Sequence, residues 1–303
     1  MTLKYRILKK VMLAINFRSR FDKDEAEMIA FAKKLNAKTK VPALTDKEIE
    51  VNKIYVDGAL VLKFTHKKKT DRANLFIIGG GMIKSPRPDS IRKALKIAKE
   101  TGLDMYIPYY PLCTDYPITE PYKMIYATYE KMLEEYTAEN ISVLGTSSGG
   151  NIALGLIAYM NDIKSSLPKP ASIIPISPGT CVMNDEEWKR MQTLDKVDVL
   201  IPAKFMKTAE GIMRHGDDSV PDYMIWLQKG DFTDCPKVYF MYGSDETLYA
   251  CAPSFEEAMK KYGVEYEMIV GEGLFHCYPV FPITKESKAG WEQMIHIMKN
   301  CYR

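Results

Sequence analysis

Apolar positions in this chain follow two rhythms, short runs of strand character and longer stretches at helical spacing, which alternate over most of its length. Asn74–Ile78 is a buried run. Ser90–Thr101 carries Ile91, Ala94, Leu95 and Ala98 on one helical face before Gly102 stops it. Asp104–Ile107 reads as a strand, Pro121–Tyr136 as a long helix, and Ile141–Leu144 as a strand that runs into glycines and then an Ala/Leu-rich helix. Strands follow at Ala171–Ile176, Lys237–Tyr242 and Glu265–Val270, with helices over Ser254–Tyr262 and Lys285–Cys301. Earlier, Val51–Val56 and Ala59–Phe64 flank Asp57-Gly58, a hairpin signature. Residues 1–40 read as two helices, the first with Ile7, Val11 and Ile15 four apart. Residues 179–233 break the alternation, with helical patches at Glu186–Leu194 and Ala203–Met213 among prolines. Eight candidate strands alternating with helices predict an α/β fold, a mostly parallel sheet with both faces covered, in one domain spanning 1–303.

Composition leaves that picture standing and removes several functions. A net charge of +3, with lysines scattered, gives no footprint for nucleic acid. Six separated cysteines form no Cys-x-x-Cys pair, and the four histidines lie near no cysteine pair. The expectations are therefore free thiols in the cytoplasm, no metal and no cofactor. The apolar run near the N-terminus is short, lacks a small-residue cleavage site and ends at Arg18 and Arg20, so it reads as an amphipathic helix rather than a leader. No segment is long enough to span a bilayer. Homo-oligomerisation stays open.

The candidate chemistry sits at strand ends, where open α/β sheets place their sites. Gly145-Thr146-Ser147-Ser148-Gly149 joins a strand to a helix. That setting forces a strained turn and exposes the serine Oγ beside the first N–H groups of the helix. A serine nucleophile needs a histidine base, and the base needs an acid. Of the histidines beyond Ser147, His296 lies within the last helix and His215 at a helix exit, while His276 occupies the loop after the last strand. Gly243-Ser244-Asp245-Glu246 follows another strand end and offers two neighbouring carboxylates, either of which could serve. Gly79-Gly80-Gly81 exposes backbone N–H groups without a Cβ in the way. With the Ser148 N–H, those of Gly80 and Gly81 form a candidate oxyanion hole. Met82 suits the floor of an apolar pocket, and Tyr110 with Tyr109, Trp188, Phe205 and Trp226 could supply aromatic walls.

Together these residues resemble the α/β-hydrolases, and among them the hormone-sensitive-lipase-like esterases. The resemblance rests on Gly145–Asn151, on Tyr110-Pro111-Leu112 with Asp115-Tyr116-Pro117, on Gly243–Leu248 and on Leu274-Phe275-His276. It implies an α/β-hydrolase with a helical cap built from about residues 1–45 and 180–233. It also implies a serine esterase that cleaves short- to medium-chain carboxylic esters through an acyl-enzyme. The family's acid stands two residues before a Leu, which selects Glu246 and keeps Asp245 as the alternative. One departure is visible: the family's His-Gly-Gly-Gly begins here with Ile78, which implies either reduced activity or a loop braced differently. Two rival readings keep the fold, a non-catalytic ligand-binding protein and a hydrolase of small amides.

Overall fold

The computed structural model describes residues 2–302. Its elements, in chain order, begin with helices α1 (Leu3–Ala14) and α2 (Glu25–Asn36) and the hairpin β1 (Ile49–Val56) and β2 (Ala59–His66). The alternating region follows as β3 (Ala73–Ile77), α3 (Pro88–Thr101), β4 (Asp104–Pro108), α4 (Thr119–Leu133), β5 (Ile141–Thr146), α5 (Ser148–Asp162) and β6 (Ser172–Ile176). Helices α6 (Asp185–Leu194), α7 (Ala203–Arg214) and α8 (Asp222–Ile225) interrupt it. It resumes with β7 (Lys237–Gly243), α9 (Ala252–Lys261), β8 (Tyr266–Gly271) and α10 (Lys285–Asn300). The expected elements are all present, with shifts of one to three residues at their ends, where caps and turns decide.

One eight-stranded sheet runs β1-β2-β4-β3-β5-β6-β7-β8. The β1–β2 and β2–β4 pairs are antiparallel and the others parallel. Asp57 and Gly58, at φ 48° and 77°, join β1 to β2 in the left-handed conformation that a two-residue hairpin requires. β3, β4, β5 and β6 are buried along their whole length, which is why their sequences are mostly apolar instead of alternating. One face packs on α3 and α10 through Ile91, Ile97, Trp291 and Met294. The other packs on α4, α5 and α9, and the same core reaches α2 and α7 through Met28, Ala32 and Phe205.

α1 is held from its inner side. Tyr5 is fully buried, stacks on Phe275 at 5.8 Å, and donates from its hydroxyl to the Gly273 carbonyl at 2.9 Å. Lys9 pairs with Asp245. A partly exposed ion pair contributes at most about 1 kcal/mol. Burying the Tyr5 ring, with its stack, outweighs that. The ridge formed by Ile7, Val11 and Ile15 faces the other way, into solvent.

Candidate active site

The strand ends converge. Gly79–Gly81 follows β3, Ser147 follows β5, Ser177 follows β6, Glu246 lies just past β7, and His276 lies past β8. Ser147 adopts φ 53° and ψ −127°, a region an L-residue pays about 1–3 kcal/mol to occupy. The turn holds because the Ser147 N–H donates to the Ile176 carbonyl at 2.8 Å and small residues flank it. A Cβ at Gly149 would run into the Ile77 carbonyl, and one at Gly145 into the backbone of Gly149. Only glycine lets β3, β5 and the start of α5 approach this closely.

Ser147 Oγ lies 2.9 Å from His276 Nε2, and His276 Nδ1 lies 2.5 Å from Glu246 Oε2. Glu246 is fully buried, and its other oxygen accepts the Gly243 N–H at 3.0 Å. With the carboxylate ionised, Nδ1 carries the proton and Nε2 presents its lone pair to the serine hydroxyl. Burial alone would hold His276 neutral, but the neighbouring Cys277 sulfur, 3.5 Å from Nε2, and the Glu246 carboxylate outweigh it and raise its proton affinity well above the ordinary value. Burial raises the Glu246 carboxyl above its usual range, against the pull of His276 and Ser177.

Asp245 and Glu246 diverge. The chain enters a tight helical turn at Thr247–Cys251, sending Glu246 inward to His276 and Asp245 outward to Lys9 of α1. Asp245 makes no hydrogen bond to His276.

Supporting residues outside the sequence-based candidates surround this line. Asp198 is fully buried, accepting from the N–H groups of Leu200 at 2.6 Å, Ile201 at 3.0 Å and Thr247 at 2.7 Å. It thereby fixes the residue that follows Glu246. Burial raises its pKa, against those N–H groups and the charge of His276. Ser177, at φ 49°, accepts the Cys277 N–H at 2.9 Å and so seats the histidine loop. Ser177 carried one usable signal, its place at a strand end. Asp198 carried none, because its partners are close only in space.

The glycine loop is braced without a histidine. Thr146 Oγ1 accepts the Gly79 N–H at 3.0 Å, and the Tyr110 hydroxyl donates to the Ile78 carbonyl at 2.9 Å. Ser148 Oγ accepts the Gly80 N–H at 3.0 Å and the Met82 N–H at 3.2 Å. The N–H groups of Gly81 and Ser148 have no partner among the described residues. Tyr110, expected in the pocket wall, therefore stands behind it, since its hydroxyl is committed to the loop.

A cavity of about 420 Å³ opens over Ser147. Gly80, Gly81, Met82 and Ser148 line it, with Met12, Phe17, Phe21, Phe205, Met206 and Met213. Ile78, Val280, Phe281 and Ile283 line it too, and Lys93 is its one Lys, Arg, Asp or Glu. Among the described residues no group of three or more His, Cys, Asp or Glu could hold a metal ion, and all six cysteines are free. No helix among them is long and apolar enough to cross a membrane.

Residues 74–280 match a family model described as the alpha/beta hydrolase fold. A triacylglycerol lipase of Mycobacterium tuberculosis is 29% identical over 126 residues, a segment covering 40% of this chain and 28% of that protein. Two solved structures share the fold. An esterase from the bacterial hormone-sensitive lipase family superposes with TM-score 0.77 at 19% identity, covering 96% of this chain and 97% of the other. An esterase/lipase from an uncultured bacterium gives TM-score 0.74 at 21% identity, with coverage of 91% and 98%.

Proposed function

Since the chain belongs to the alpha/beta hydrolase family, we propose that it is a serine hydrolase of short- to medium-chain carboxylic esters. The observation that carries this reading is the unbroken line from Ser147 Oγ through His276 to a buried Glu246, at the floor of an apolar cavity. The names of the relatives, lipase and esterase, point the same way.

In this reading Ser147 Oγ attacks the ester carbonyl while its proton passes to His276 Nε2. Glu246 holds the ring by Nδ1 and stabilises the imidazolium that forms. The carbonyl oxygen becomes an oxyanion that accepts hydrogen bonds from the N–H groups of Gly80, Gly81 and Ser148, each donor contributing about 3 kcal/mol in the transition state. His276 returns its proton to the departing alcohol, leaving an acyl-Ser147 ester. Water, losing a proton to His276, then releases the acid and restores the serine. Residues 1–45 and 180–233 serve as the cap, a role supported by the side chains Met12, Phe17, Phe21, Phe205 and Met213 that they contribute to the cavity. Met82 and the phenylalanines suit an apolar acyl chain, and exclusion of water strengthens every electrostatic contact below them.

A fluorophosphonate probe should label Ser147, and p-nitrophenyl acetate and butyrate should be hydrolysed. Ser147→Ala should abolish labelling and lower kcat by roughly a millionfold. A protein that takes no probe and turns over neither ester is not this enzyme.

A further inference from the structure

The outward face of α1 has no folding role. Leu3, Ile7 and Val11 stand one above another at intervals of four and are 71%, 52% and 49% exposed; Ile15, just past the helix, is 63% exposed. An apolar stripe on a helix ordinarily packs against the core. Here Tyr5, with Leu8 and Met12, already does so from the opposite side. A ridge of large aliphatic side chains left in water marks an interaction surface.

Charge says what covers it. The first twenty residues hold Lys4, Arg6, Lys9, Lys10, Arg18 and Arg20, and no acid. Lys9 and Arg18 turn inward, to Asp245 and Asp195. Lys4, Arg6 and Lys10 are exposed on the same helix as the ridge and form no ion pair among the described residues. The start of α10 extends the face. Ile283, 47% exposed, lines a surface depression with Lys4, Lys285 and Lys288, with Glu292 as its one acid. Ile283 and Phe281 also line the cavity over Ser147, as do Met12 and Phe17 at the other end of the face.

We propose that α1 and the start of α10 form a docking face for an anionic lipid surface, with the ridge sunk among the acyl chains and the lysines and arginine at the headgroups. A helix with an apolar strip flanked by cations is the form that lies in such an interface. A second copy fits poorly, because a two-fold pairing of this face would bring the cations Lys4, Arg6 and Lys10 of one copy against those of the other, with no acid on α1 between them. Docked this way, the rim of the cavity meets the lipid, and an ester held in a membrane reaches Ser147 without crossing water. That delivery rests on the hydrolase reading; the docking does not.

Cosedimentation with vesicles tests it. The protein should bind vesicles of phosphatidylcholine mixed with phosphatidylglycerol, bind phosphatidylcholine alone far less, and be released by salt. The double variant Ile7→Gln, Val11→Gln should lower partitioning at least roughly tenfold. Lys4→Gln and Lys10→Gln should each lower it about fivefold. Turnover of a short soluble ester should be the same in all of them, showing that the fold and cavity are intact. Absence of vesicle binding, or binding that the double variant leaves unchanged, overturns the proposal. So does a concentration-dependent dimer in sedimentation velocity that the double variant abolishes, which would make a second copy the occupant. Vesicle binding without any ester hydrolysis would overturn the enzyme and leave the docking face standing.

Discussion

Around His276 each polar atom of the proposed reacting line already holds the partner it needs, whereas across the cavity floor the glycine loop aims part of its N–H set at a neighbouring side chain. His276 is fixed from both ring nitrogens, and Glu246 is fixed through both oxygens. Gly80, which the proposed mechanism needs as an oxyanion donor, instead donates to Ser148 Oγ. In the proposed mechanism the two parts of the site are therefore arranged for different states. The proposed proton-transfer line has its hydrogen bonds in place in the resting protein. The loop is satisfied by an internal acceptor that a developing oxyanion would have to replace.

The largest expected effect separates the two carboxylates of the acid loop. Glu246→Gln removes the charge opposite His276 and offers Nδ1 an amide, so kcat should fall roughly a thousandfold or more. Asp245→Asn breaks only the partly exposed pair with Lys9 and should change kcat by less than about threefold. Steady-state kinetics on one soluble ester decides. If Asp245→Asn were the crippled variant, the proposed line from Ser147 to Glu246 would be wrong.

A smaller effect concerns pH. His276 must be neutral to accept a proton, and its proton affinity is raised in the folded protein. The ascending limb of kcat/KM should therefore lie above the ordinary imidazole range of about 6.5. Glu246→Gln removes one of the two groups that raise the ring against burial, leaving Cys277 as the other, and should move the limb downward. Asp198→Asn withdraws a second buried carboxylate that interacts with His276 and should shift it the same way by less. A limb that stays in place in both variants would mean that the titrating group is not His276.

How much of this was legible follows the same division. The sheet could be read because β3, β5 and β6 are buried on both faces and write mostly apolar runs. Ser147 and His276 could be read because each carries a local signal at a strand end. The choice between Asp245 and Glu246 rests on a single turn of backbone, which adjacent carboxylates do not reveal by themselves. The bracing of the loop was hidden for a further reason: Thr146, Ser148 and Tyr110 brace it in place of a histidine with four hydrogen bonds drawn from different elements. In α1 the period of four was visible, but which face met the protein depended on Tyr5 finding Phe275 and Gly273 far along the chain.

The smallest effect bears on the comparison most directly. Ser148→Ala removes the acceptor for two N–H groups, those of Gly80 and Met82. Unpaired in a largely buried loop, they should cost about 1–3 kcal/mol of stability, visible as a lower Tm. The same change frees Gly80 to donate to an oxyanion with no competitor, so kcat should hold or rise by up to about threefold, an increase worth less than 1 kcal/mol in the barrier. Loss of stability without loss of turnover is the signature of an acceptor that serves the resting loop. A tenfold fall in kcat at an unchanged Tm would reverse the assignment and place the Ser148 hydroxyl among the groups that act on the transition state.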